Sequence, residues 1–220
     1  MKRSLVLSAT LLLSGAAHAA PPREARPPVS DQILQDGLEL GDEIETRVDG
    51  DLNGDGDPDT AYVVASPDAR TLHVLLSYRT EVDLGHDPAG SVKLAADRLG
   101  PADLSISKGV LVVKDLTGGT TALASTYRFR ADKKQTPPRM QLIGLDTMLY
   151  SRTWAHDGSE MSWNLLTGDI VASELKLVGE GEDARYDKQF TRKAKRPVKA
   201  VYMEDTPDPE EELVRATKAK

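Results

Sequence analysis

The sequence has no cysteine, and only two phenylalanines, two tryptophans and four histidines among its 220 residues. Without a thiol there is no disulfide framework, no cysteine-ligated zinc or iron–sulfur centre, no thiol nucleophile and no lipid-modified cysteine. Basic residues are outnumbered, 28 against 35 acidic ones, for a formal charge of −7. That balance argues against a general nucleic-acid binder, because phosphate backbones attract clustered Lys and Arg. A long apolar run is missing as well. The stretch over 5–13 falls well short of the roughly 20 residues that cross hydrocarbon, and Ser8 and Thr10 dilute it, so no membrane span is expected.

What is present at the start is a different signal. Lys2 and Arg3 precede the apolar stretch, and small residues ending Ala17-His18-Ala19 follow it, the pattern of a cleaved secretory signal peptide over 1–19. Cleavage would remove those two positive charges and take the formal charge from −7 to −9. The expected location is therefore periplasmic or secreted, without a lipid anchor. An exported chain with no disulfides must draw its stability from its core or from a bound ion. The length suffices for an independent core.

Residues 20–29 carry four prolines and read as an extended leader. Ser30-Asp31 is placed to cap a short helix through Leu34 to Leu38, ending near Gly37 or Gly41. From Glu43 onward short apolar stretches alternate with Gly, Asp, Asn and Pro, which predicts strands joined by turns. The strands are expected over 44–48, 60–65, 72–78, 104–107, 110–114, 122–130, 140–149, 161–165 and 170–177. Lys108-Gly109 suits a tight hairpin turn. Val92, Leu94, Ala95, Ala96 and Leu99 make a helical face over 91–99, stopped by Gly100-Pro101. The expectation is a mainly β domain over 30–177, an antiparallel meander or sandwich-like sheet with one or two short helices. After residue 177 the apolar rhythm gives way to a basic run over 192–199 and an acidic run over 204–212, read as a charged, mobile tail over 178–220. The functional alternative makes the basic run a contact for an anionic glycan or phospholipid surface.

The densest chemistry lies between the first two strands. Asp51-Leu52-Asn53-Gly54-Asp55-Gly56-Asp57-Pro58-Asp59 places an oxygen-bearing side chain at every second position, with Gly56 at the sixth place, where the chain must turn sharply. Two unit charges about 4 Å apart repel by roughly 4 kcal/mol at an effective dielectric near 20, so a compact loop needs neutralisation or solvation. Calcium suits this set, since it accepts six to eight oxygens at about 2.3–2.6 Å in a flexible geometry, whereas magnesium demands a tight octahedron. The candidate ligands are Asp51, Asn53 and Asp55 by side chain, Asp57 by its backbone carbonyl, and Asp59 directly or through water. Position twelve is Tyr62, which cannot coordinate, and Ala61 to Val64 continues as a strand, so this is not an EF-hand. A plain aspartate- and glycine-rich turn is the alternative.

DLNGDGDPDTAYVV, residues 51–64, resembles the calcium loop of FG-GAP/VCBS-type repeats of secreted and cell-surface β-proteins. That resemblance implies a Ca2+ site between two strands. In propellers the unit recurs, and no second copy is found here, so a propeller is not expected. The succession of this loop, Gly118-Gly119, Tyr127 to Arg130, Gln141 to Gly144 and Asn164 to Gly168 looks like a group of bacterial envelope proteins, a likeness that implies no activity.

Other chemistry is sparser. His86-Asp87 and His156-Asp157 are histidine–aspartate pairs that a hydrolase could use with Ser91, Ser151 or Ser159, but no G-x-S-x-G elbow supports them, and His73 sits in an expected strand. Trp154 and Trp163 would stack on sugars if exposed side by side, and would otherwise serve the core. The sequence therefore predicts an exported, non-enzymatic calcium-binding β domain. A carbohydrate- or protein-binding envelope module, including a hydrolase inhibitor, is the first alternative, and a periplasmic hydrolase the second.

Overall fold

Eleven strands follow one another as a meander in the computed structural model, which describes residues 26–218. The expected signal peptide and most of the leader lie outside the described residues. A four-stranded antiparallel sheet holds β1 (Glu43–Gly50), β2 (Asp59–Ala65), β3 (Arg70–Arg79) and β4 (Leu84–Leu94) in chain order. A seven-stranded antiparallel sheet holds β5 (Asp103–Ser107), β6 (Val110–Gly118), β7 (Thr121–Asp132), β8 (Arg139–Ser151), β9 (Gly158–Asn164), β10 (Asp169–Val178) and β11 (Arg185–Lys195), again in chain order. Among the described residues the protein is mainly β, with two short α-helices and no closed barrel.

Alternation builds the core. Ala61, Val63, Leu72, Val74 and Leu76 of the smaller sheet join Leu111, Val113, Phe129, Leu142 and Leu145 of the larger one in a single buried cluster. Leu72, Leu111, Val113 and Phe129 are wholly inaccessible. The two sheets meet where β1 ends beside β5, and Gly50 there has no side chain to strike Ile106, whose Cγ2 would lie 3.2 Å from an added Cβ. Lys108-Gly109 makes the expected hairpin turn, both residues having positive φ (52° and 73°). Helix α1 (Asp31–Asp36) starts where Ser30 Oγ accepts from the Ile33 amide and ends at Gly37.

Two expectations give way. The helical face over 91–99 is not a helix: residues up to Leu94 belong to β4, where Val92 and Leu94 point inward on alternate positions opposite Leu72 and Arg70. An extra residue, Ala89, bulges between Pro88 and Gly90, and β4 is an edge strand, so Pro88 is tolerated. The charged stretch after residue 177 is not a loose tail. Residues Arg185–Lys195 pair along the whole of β10, and helix α2 (Pro209–Lys218) packs on β8, β9, β10 and β11 with Leu213 and Ala216 buried. Met203, in the short 3-10 turn before α2, is fully buried. Charge runs concealed a strand with one polar, solvent-facing edge and a helix with one apolar face.

Candidate metal-binding loop

The loop over 51–58 joins β1 to β2 and is organised by its own side chains. Gly54 and Gly56 have φ of 75° and 85°, a region nearly closed to other residues, so the chain can curl twice in three positions. Six consecutive backbone amides, from Leu52 to Asp57, each donate to a side-chain oxygen of Asp51, Asn53 or Asp55 or of Asp59 at the start of β2. Gly54 and Gly56 donate to the two oxygens of Asp51, at 2.5 and 3.1 Å. The Asp55 amide donates to Asn53 Oδ1 at 2.8 Å, and the Asp57 amide to Asp55 Oδ1 at 2.8 Å. Leu52 and Asn53 both donate to Asp59 Oδ2, at 2.6 and 3.0 Å. Amide dipoles thus supply part of the positive potential that the carboxylates require.

The five expected ligands separate into two groups. Asp51, Asn53 and Asp55 lie in the outer part of the loop, and Asn53 Nδ2 reaches Asp55 Oδ2 at 3.2 Å and the Ser77 carbonyl at 3.1 Å. Asp57 and Asp59 turn inward, 2% and 0% exposed. The Asp57 carboxylate pairs with Arg79 at 3.1 Å and accepts from the Arg26 amide at 3.3 Å. Asp59 Oδ1 accepts from the Ser77 amide at 2.7 Å and its hydroxyl at 3.1 Å, so with Leu52 and Asn53 its four acceptor positions are filled by protein donors. Burial pushes the Asp59 carboxyl upward, while those same donors pull it down less strongly. Among the described residues no three carboxylate or imidazole side chains form a group able to hold a metal ion. Any ion in the loop must therefore draw on the Asn53 amide and on backbone carbonyls beside Asp51 and Asp55.

Ser77, Arg79 and Arg26, which fix the inner half of the loop, were not legible in the sequence. Ser77 and Arg79 share one face of β3, but a period of two does not reveal that this face meets the start of β2. The Arg26 guanidinium also donates to the carbonyls of Tyr78 and Gly85, at 3.0 and 3.1 Å, tying the leader to β3 and β4.

The candidate catalytic groups stay apart. Among the described residues no histidine hydrogen-bonds to a serine. His156 contacts Thr121 Oγ1 at 2.8 Å and the Asp157 carbonyl at 2.6 Å. Ser151 Oγ accepts from the Thr153 and Ala155 amides and holds a turn. His73 stacks on Tyr62 with ring centroids 5.3 Å apart, and burial pushes its imidazole below the ordinary range. His86 is also pushed down, first by burial and then by Arg26 and Arg47, and its Nε2 is buried without a hydrogen-bond partner. Tyr62, His73 and His86 line a cleft of about 820 Å3 between α1 and the outer face of the smaller sheet. Trp154 is 45% exposed and lies against Tyr186, whereas Trp163, near the other end of β9, packs on the core beneath the Arg196 guanidinium. They do not form one stacking platform.

Comparison with protein-family models, with curated proteins and with solved structures found no match to this chain.

Proposed function

We propose that this is an exported, non-enzymatic β domain whose loop over 51–59 binds one calcium ion in a structural role. The observation that carries the reading is the run of six amides donating to loop oxygens, which keeps Asp51, Asn53 and Asp55 within one turn and leaves them further acceptor capacity. The donor set is all oxygen, the preference of a hard cation, and its mixture of carboxylate, amide and carbonyl suits calcium better than magnesium. Asp51, Asn53 and Asp55 would hold the ion with the Asp57 carbonyl, and bound calcium would supply charge neutralisation alone. Asp59 acts as a positioning residue, since its oxygens already hold the loop to β3. Export rests on the features of residues 1–19, and the resemblance of residues 51–64 to FG-GAP/VCBS-type loops points the same way.

Thermal melting in calcium against chelator tests this. Extracellular calcium modules have dissociation constants of about 10⁻⁴ to 10⁻³ M, so about 1 mM calcium should add roughly 0.4–1.4 kcal/mol. Asp51→Ala and Asp55→Ala should each abolish the difference. A melting curve indifferent to calcium would remove the reading. The second reading, a glycan- or protein-binding envelope module, is favoured by the cleft at Tyr62, His73 and His86, where a buried imidazole nitrogen lacks a partner.

A further inference from the structure

Beside the acidic loop lies a cavity of about 770 Å3 whose wall is basic. Lys108 comes from the β5–β6 turn, Arg130 from β7, and Lys133 and Lys134 from the turn before β8, while Asp51 and Asp132 are the carboxylates of the same wall. We infer that this basin is an oxyanion site, taking the phosphate or sulfate group of a soluble ligand or of a lipid headgroup.

Four observations support it. Among the described residues none of the four cations forms an ion pair, although arginines elsewhere on both sheets do so. The two nearby carboxylates are directed elsewhere, without an ion pair to any of the four: Asp132 accepts from the Lys134 amide at 3.1 Å and the Tyr202 hydroxyl at 3.0 Å, and Asp51 accepts from the Gly54 and Gly56 amides. Lys108 keeps a left-handed backbone, φ 52°, in a turn position that favours Gly or Asn, so a lysine is held there against local preference. Gly54 accommodates the fourth feature, because an added Cβ would lie 2.8 Å from Lys133 Nζ, so the ammonium rests against the loop backbone.

Cations gathered in one concavity raise each other's energy and concentrate anions. A doubly charged tetrahedral oxyanion relieves this best, since its several oxygens can accept from ammonium and guanidinium donors together. A single carboxylate brings half the charge. The site stands on the protein's own cations, and a calcium ion in the adjoining loop would add to the attraction.

The test is a calorimetric titration of the full mature chain with inorganic phosphate at low salt in chelator, repeated with calcium, alongside co-sedimentation with phosphatidylcholine vesicles with and without phosphatidic acid. Saturable phosphate binding is expected, weakened about tenfold or more in Lys108→Gln/Lys133→Gln, the equivalent of one charge-assisted contact. Lys193→Gln/Lys199→Gln removes the same charge from exposed positions outside the basin and should leave binding unchanged. Retention on phosphatidic acid vesicles identifies a lipid-borne source, and phosphate binding without retention a soluble one. Equal weakening in both double variants, or neither phosphate nor vesicle binding, overturns the inference. Phosphate binding in chelator that calcium does not tighten leaves the oxyanion site standing and counts against the calcium loop instead. Calcium heat without phosphate binding does the reverse.

Discussion

Strand β1 ends in two concentrations of charge that are handled in opposite ways. Near its start, Glu45 enters a buried network in which the Arg70 guanidinium fills all five of its donors, two on Glu45 at 2.9 and 2.7 Å, two on Asp115 at 3.2 and 2.9 Å, and one on the Ala95 carbonyl at 2.7 Å. Arg98 and the Ala102 amide complete the shell around Glu45. At the other end, the loop over 51–59 has carboxylates in excess and neutralises them with backbone amides and, at Asp57, with Arg79. The first region is balanced by side chains from both sheets and needs no ligand. The second is balanced only in its inner half, which leaves the outer half as the place where a cation would act. Burial of a charge demands a permanent partner, while exposure permits an exchangeable one.

The largest effect is expected at Arg70. Arg70→Met would leave Asp115 buried without its counterion and Glu45 with Arg98 alone, and urea unfolding should show a loss of about 3–5 kcal/mol. A loss below that of an exposed ion pair would show that the network does not join the sheets. Asp59→Ala should rank next, at roughly 2–4 kcal/mol, since it strips partners from the Leu52, Asn53 and Ser77 amides. If Asp59 were chiefly a metal ligand, that loss would vanish in chelator; the positioning role requires it to persist there.

Acid sharpens the contrast. Burial raises the Glu45 carboxyl, but hydrogen bonds from Arg70, the Ala102 amide and Arg98 outweigh it and hold the group at about 2, below its ordinary 4.5. A depressed carboxyl contributes stability that is complete above the unfolded value and lost as pH falls through the folded one. Stability should therefore decline between about pH 4.5 and 2, by on the order of 2 kcal/mol after allowance for solvent screening, and Glu45→Gln should flatten that limb. Asp59, held above its ordinary range by burial, has the opposite sign: its contribution is complete below its unfolded value and diminishes as pH rises through the folded one. Calcium comes fourth, raising the melting temperature by roughly 1–5 °C for the linkage given above. The smallest effect belongs to the exposed Lys114–Asp103 pair at 3.1 Å, where Lys114→Gln should change stability by less than about 0.5 kcal/mol.

Much of this fold is legible in the residues. Ser30 reads as a cap and is one; Lys108-Gly109 reads as a turn and is one; the alternation of Tyr127, Phe129 and their neighbours marks β7. What escaped were elements whose identity is set by partners. Arg185–Lys195 alternates too little in polarity to announce a strand, and only its pairing with β10 makes it one. Helix α2 did carry a local signal, Asp208 as cap before Pro209, with Leu213 and Ala216 three apart, and the surrounding acidic run obscured it. In the loop, spacing picks out the oxygens but not their directions. Asp57 and Asp59 face inward because Arg79 and Ser77 of β3 await them, a fact of tertiary packing that no window of sequence contains.

Whether the outer half of the loop holds a divalent cation is decided by calcium binding in solution. Isothermal titration of the chelator-treated chain with calcium addresses it most directly. One site of about 10⁻⁴ to 10⁻³ M is expected, absent in both Asp51→Ala and Asp55→Ala and retained in a folded Glu45→Gln variant. Heat that is missing in the native chain, or unchanged in the two aspartate variants, would contradict it.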